Sequence, residues 1–325
     1  MSILSSLHES AAPSVAVELA STRVSAAALE LRAGRPVVAA HAVEPLPPGA
    51  LTPSLTMSNV HNRTVVVSAL QRVFDRIGGR PRRVGLIVPD LVAKVSFVRF
   101  ERVPARRTDL DQLVRWQVKK TAPFAIDEAQ VSYSSGQRAT DGQEFVVSLA
   151  RRVIVEEYEG LCADAGVHPG IVDLTTFNVV NAILARGQRH VADWLLVNVT
   201  PDYASIAIVR GEHLIFFRNR GPESDGSLAD LVHQTAMYYE DRLSGGGFDR
   251  VFLAGHAAGS PAQESDVQQA RRSLEERLAM PVESIDPRPA ADLTDRISAA
   301  PALLDALAPL VGLLLRGQEA MVTAP

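Results

Sequence analysis

Val15-Ala16-Val17-Glu18-Leu19 and Leu195-Leu196-Val197-Asn198-Val199 stand 180 positions apart and share one pattern, an apolar run interrupted by a single acidic or amide side chain. Each has strand length, and a short polar connector follows each: Ala20-Ser21-Thr22-Arg23 and Thr200-Pro201-Asp202-Tyr203. Beyond the connectors come second apolar runs, Val24–Leu31 and Ala204–Val209. Glycine turns follow at Ala33-Gly34-Arg35 and Arg210-Gly211-Glu212, then third runs at Val37–Val43 and His213–Phe217. Strands joined by links this short pair antiparallel, so the sequence predicts one three-stranded meander made twice.

The repeat continues past the meanders. Pro45-Leu46-Pro47-Pro48-Gly49 ends the first, because consecutive prolines cannot donate to a ladder. Asn62 can cap a helix whose Val66, Leu70, Val73 and Ile77 share a face, closed by Gly78-Gly79 before a strand at Val84–Val88. In the second copy Ser227 can cap a helix through Leu231, Thr235, Tyr239 and Leu243, closed by Gly245-Gly246-Gly247 before a strand at Val251–Ala254 and Gly255. Two α/β lobes are expected.

Between Pro89 and Asp173 a smaller α+β alternation suggests an inserted module. Thr108 with Asp111 resembles a capping box, ahead of a helix with Leu110, Leu113, Val114 and Val118 on its buried stripe, which stops before Pro123. Strands follow at Gln130–Ser134 and Phe145–Leu149, then a helix over about Val153–Ala165 and a strand at Ile171–Leu174. Cys162 lies late in that helix with no histidine or cation within a turn of it, which favours packing over reactivity.

At roughly 150 residues per domain, 325 residues suit two lobes. Apolar types at 46% and charged types at 22% fit a globular chain. With 33 basic against 37 acidic residues the net charge is −4, so no general basic field draws in nucleic acid. A single cysteine excludes an internal disulfide framework and fits a reducing compartment. Met1 to Leu19 lacks a basic start and carries Glu9 and Glu18, against a secretory signal, and Ala302 to Leu315 is broken by Asp305 and Pro309 and too short to span a bilayer. The expectation is a cytoplasmic protein that meets a membrane only through a partner. The eight histidines show no HExxH-type spacing and no GxxxxGK[ST] loop occurs, which leaves metal and P-loop chemistry without a motif.

A doubled meander with a polar connector in each copy, and an apolar strand running into a glycine, resembles the actin-like ATPase superfamily. Within it, Arg115-Trp116-Gln117-Val118-Lys119-Lys120-Thr121-Ala122-Pro123-Phe124-Ala125-Ile126-Asp127-Glu128 resembles the PilM family of type IV pilus assembly proteins. Ile171-Val172-Asp173 with Phe177, and Leu307-Ala308-Pro309-Leu310-Val311-Gly312-Leu313-Leu314-Leu315-Arg316, agree with it. The resemblance implies an α/β fold of duplicated, ribonuclease H-like lobes, expected at residues 1–190 and 191–325. A small inserted subdomain of the kind shared with FtsA is expected over about 89–175. The second lobe is expected to lack most of its helical subdomain, since only one helix fits between Arg220 and Val251.

In that superfamily the two connectors embrace the phosphates of ATP and its magnesium ion. Ser21, Thr22, Asn198, Asp202 and Gly255 are therefore the candidate nucleotide residues, or else polar turn residues between strands. Ala20 and Thr200 stand where the family has glycines, Ser25 where it has a lysine and Asn198 where it has an aspartate, while Pro201 removes an amide donor. The adenosine-side segment reads Phe252-Leu253-Ala254-Gly255-His256, with a ring in place of the second glycine. A degenerate site without catalysis is the expectation, and a working ATP-binding switch or slow ATPase is the alternative.

The resemblance also implies a partner, the N-terminal cytoplasmic tail of a PilN-like inner-membrane protein. Arg115, Trp116, Pro123 and Phe124 are the candidate binding residues, since Trp116 lies off the buried stripe. Arg99, Arg102, Arg106, Arg107, Lys119 and Lys120 form a local basic cluster, suited to an acidic partner or lipid headgroups, or merely solvated. A GspL-like component of type II secretion is the remaining alternative.

Overall fold

The computed structural model describes residues 13–79, 81–185, 192–221, 227–255, 261–295, 297 and 299–322. Most of the segment Met1 to Leu19, and His8, His190 and His256, lie outside the described residues.

The first meander is β1 (Val15–Leu19), β2 (Arg23–Arg32) and β3 (Arg35–Pro45). β4 (Arg83–Val88) pairs parallel with β1, with Val17 opposite Leu86. All five residues of β1 are buried, as a central strand covered on both faces must be. The second meander is β9 (Trp194–Val199), β10 (Ala204–Arg210) and β11 (His213–Arg220), and β12 (Arg250–Ala254) pairs parallel with β9. β8 (His168–Leu174) extends the first sheet beside β4, and β13 (Val282–Ser284) extends the second beside β12. Strand orders β3-β2-β1-β4-β8 and β11-β10-β9-β12-β13 are therefore equivalent, and β14 (Asp292–Leu293) adds an edge beside β3.

Helix α1 (Arg63–Arg76) starts where expected, with the Asn62 side chain accepting from the Val65 N–H at 3.2 Å. Its Val66, Leu70, Val73 and Phe74 are fully buried against β1, β2 and β4, each contributing about 1.5–3 kcal/mol of transfer free energy.

The inserted sheet is β5 (Ala93–Phe100), β7 (Gly142–Arg151) and β6 (Ala129–Ala139) in that order, with α2 (Arg107–Lys119) packed on one face. β5 was not expected from the sequence. Its Val98 and Phe100 face α2 while Val95 and Phe97 face the lobes, so it shows no simple inside-outside alternation. The cap reading at Thr108 and Asp111 is corrected too: the helix begins after Arg106 without a side-chain cap, and Asp111 instead accepts from the Tyr133 hydroxyl at 2.5 Å.

Two expected boundaries differ from the observed pairing. α3 (Arg152–Asp164) and β8 fall within the expected module of 89–175, yet α3 packs with α1 in the first lobe's core and β8 is a strand of its sheet. β14 and α7 (Pro301–Val322) fall within the expected second lobe of 191–325, yet both return to the first sheet, where Leu307, Leu310, Val311 and Leu314 pack on Ala16, Ala27, Leu29 and Ile87. Neighbours along the chain do not reveal such returns. α4 (Thr175–Leu184) makes the reciprocal crossing, its Val179, Ala182 and Ile183 packing on Trp194, Leu196 and Phe252 of the second sheet. α4 and α7 cross at Gly312, where any β-carbon would overlap the carbonyl of Asn178.

α5 (Leu228–Arg242) and α6 (Pro261–Leu278) cover the other face of the second sheet. Among the described residues α5 is the one helix between β11 and β12, as the spacing predicted. α7 is continuous through Pro309, and among the described residues no helix is long and apolar enough to cross a membrane.

Candidate functional site

Because β1 and β9 occupy equivalent central positions, their C-terminal connectors meet at the cleft between the lobes. Ser21, Thr22, Asn198, Asp202 and Gly255 all line one small cavity there, together with Glu18, Arg23, Thr175 and Asp305. The five residues singled out in the sequence thus converge. The two connectors also touch: the Ser21 hydroxyl donates to the Asp202 carboxylate across the cleft. The remaining cavity is about 40 Å³, room for a few water molecules.

Each connector is already folded on itself. The Ala20 N–H donates to the Arg23 carbonyl at 3.0 Å, and the Thr200 N–H donates to the Tyr203 carbonyl at 2.8 Å. Thr200 Oγ1 also accepts from the Tyr203 N–H at 3.1 Å. Gly255 adopts φ +122° with its backbone against the Val199 carbonyl, a conformation and an approach open only to glycine, and its N–H donates to Asp305 Oδ2 at 2.9 Å.

The buried polar network beside this cleft reaches beyond the residues that the sequence singled out. Glu18 is paired with Arg23 at 3.2 Å, and burial still raises its carboxyl above the usual range. Asp90, two residues after β4, is fully buried and bonded to both sides. It accepts from the Thr176 N–H at 3.0 Å, from the Thr176 hydroxyl and from Ser205 Oγ of β10 at 2.6 Å, while its own carbonyl accepts from Asn219 of β11 at 3.0 Å. Desolvation pushes its carboxyl up to about 6 against the pull of these donors. Asn198 donates to Thr176 at 2.8 Å and so joins the same network. A lone aspartate after Val-Pro carries no motif that would have singled it out.

A second concavity of about 460 Å³ lies between the inserted sheet, β8, α4 and the β10–β11 turn. Apolar floor residues include Val172, Phe177, Val180 and Leu214, while Gln130, Ser132 and Ser134 of β6 form a polar wall. Alternation in β6 explains the wall, since Ala129, Val131 and Tyr133 point the other way, into the core beneath α2. Arg316 of α7 ion-pairs with Asp173 at the rim.

The other predicted residues sit on the α2 side of that sheet. Trp116 is 59% exposed on the outside of α2, with Lys120 Nζ 4.4 Å above its ring, and Arg115 is half-buried beside it. Phe124 packs partly into the subdomain core and Pro123 is exposed. None of the four lines the groove.

A sequence model of the type IV pilus assembly protein PilM matches residues 16–241. This chain belongs to the PilM family. A solved PilM–PilN type IV pilus biogenesis complex contains a PilM-like chain that superposes with a TM-score of 0.78 at 17% identity, covering 95% of this chain and 99% of that one. The cytoplasmic domain of EpsL, an inner-membrane component of the Vibrio cholerae type II secretion system, superposes at 0.48 with 8% identity over 94% of each chain. A Bacteroides thetaiotaomicron protein with an actin-like ATPase fold also reaches 0.48, at 9% identity over 90% and 96%. No curated sequence matches the chain significantly. The superposition on the PilM-like chain over nearly its whole length shows a shared fold, in which the two sheets repeat one strand order.

Proposed function

We propose that this protein is a cytoplasmic scaffold in the inner-membrane assembly platform of a type IV pilus, holding the N-terminal tail of a PilN-like membrane protein in the groove beside the inserted sheet, with the interlobe cleft a degenerate nucleotide site. The groove carries this reading. Its volume of about 460 Å³ and mixed apolar and hydroxyl lining suit a short peptide segment, and it is open where the cleft is not. Family membership and the superposition on a PilM bound to PilN support the choice of partner.

The cleft argues against a bound nucleotide in this arrangement. A cavity of about 40 Å³ is far below the roughly 300 Å³ at which ligand pockets begin. The amides of Ala20 and Thr200 are committed to turns, Pro201 has none to offer, and the Ser21–Asp202 bond occupies the space between the connectors. The ATP-switch reading retains one supporting observation, the convergence of Ser21, Thr22, Asn198, Asp202 and Gly255 on one cleft, and a ligand would have to open it.

Calorimetric titration of the tail peptide of the neighbouring PilN-like protein tests the groove. Ser132→Trp fills it from an exposed position of β6, and Leu214→Asp puts a charge on its floor. Both are expected to weaken binding about tenfold or more, while Trp116→Ala leaves it unchanged. Loss of binding in Trp116→Ala alone would place the tail on α2 instead.

A further inference from the structure

The outer face of α2 remains without a role in that reading, and its chemistry is unusual for this chain. Arg102, Arg106, Arg107, Lys119 and Lys120 are exposed and Arg115 is half-buried, and among the described residues none of them has a carboxylate within ion-pair distance. Elsewhere about half of the described basic side chains have a carboxylate partner, as Arg63 has Asp164, Arg72 and Arg76 have Glu44, Arg151 has Glu128, and Arg277 has Asp230, whereas the α2 cluster gathers six that have none. Residues 101–120 hold six cations and three carboxylates, in a protein of net charge −4. Of those carboxylates, Asp111 is engaged by Tyr133, leaving Glu101 and Asp109 on the surface.

Two apolar groups stand among these cations. Trp116 is 59% exposed with Lys120 stacked over its ring, and Val103, in the loop before α2, is 42% exposed. An indole flanked by long cationic side chains suits the headgroup level of a bilayer, where the ring enters the acyl boundary and the ammonium groups meet phosphates. The surface is the convex outside of a helix, which suits a flat array of headgroups better than a peptide needing a pocket.

We infer that the outer face of α2, centred on Trp116, Lys119 and Lys120, is a contact surface for anionic lipid, independent of the groove on the opposite side of the inserted sheet. It gives the protein a weak membrane contact of its own and orients the groove for whatever it receives.

The experiment is co-sedimentation of the full chain with phosphatidylglycerol-containing and pure phosphatidylcholine vesicles, with tryptophan emission recorded in parallel. Trp194, the only other tryptophan, is fully buried, so a blue shift reports Trp116. Binding to anionic vesicles only, weakened by added salt and accompanied by a blue shift, is the expected result. Each cation near the surface is worth roughly fivefold in affinity, so Lys119→Glu with Lys120→Glu should lower binding more than tenfold. Trp116→Ala should abolish the shift and weaken binding, and all variants should keep the parent's thermal midpoint and tail-peptide affinity.

No sedimentation with anionic vesicles, equal binding to phosphatidylcholine, or undiminished binding by the double glutamate variant overturns the inference. So does binding of an acidic polypeptide by the Trp116 face when anionic vesicles are ignored, which would make the surface a protein-docking site. A tail peptide that fails to bind while vesicles do would overturn the groove reading alone.

Discussion

Asp90 of the first lobe accepts a hydrogen bond from Ser205 of the second at 2.6 Å, and this contact, with Thr176 and Asn219 around it, fastens one sheet to the other. The carboxyl is buried and held up to about 6, above the ordinary 3.8. A carboxyl raised on folding adds stability below its unfolded value and loses that contribution as pH rises through the folded one. Asp90→Asn keeps the size and removes the titration. The stability of the wild type relative to this variant should therefore fall by up to about 3 kcal/mol between pH ~4 and ~6 and stay level above, as chemical denaturation at several pH values will measure.

Gly312→Ala should be among the most damaging single-methyl changes in the protein. The added carbon would overlap the Asn178 carbonyl where α7 crosses α4, and two helices carrying cores of different lobes would have to separate. A loss of about 3 kcal/mol is expected by thermal or denaturant unfolding, against the roughly 1 kcal/mol that alanine gains in a free helix.

Millimolar ATP with magnesium should leave the thermal midpoint unchanged, since a ligand must bind the native state to raise it. A rise of several degrees would mean that the Ser21–Asp202 contact opens, and would restore the switch reading.

Cys162 should resist thiol reagents in the folded protein. Burial holds its thiol up to about 12, so little thiolate exists at neutral pH and none of it is accessible. Labelling should appear only in denaturant, where its rate reports opening of the core between α1 and α3.

Much of the fold was legible because it is written locally. Strand period, the caps at Asn62 and Ser227, and the glycines that close the two helices are short-range signals, and the repeat at 180 residues tied them into two lobes. The two connectors were legible for the same reason, each following a strand marked by its apolar run, and the cleft-lining Ser21, Thr22, Asn198, Asp202 and Gly255 lie in or beside such strand ends. β5 was missed because both its faces are covered, and the Thr108 cap because Tyr133, distant in sequence, claims Asp111.

By itself the sequence determined the duplicated α/β architecture, the inserted α+β module and the position of both connectors. Only the tertiary structure decided that β8 and α7 belong to the first lobe, that Asp90 joins the two sheets, that the connectors close on each other, and that Trp116 and the groove lie on opposite sides of one sheet. The reason is physical. Periodicity records which face of an element is buried, whereas the identity of the covering element depends on long-range packing and burial that no local spacing encodes.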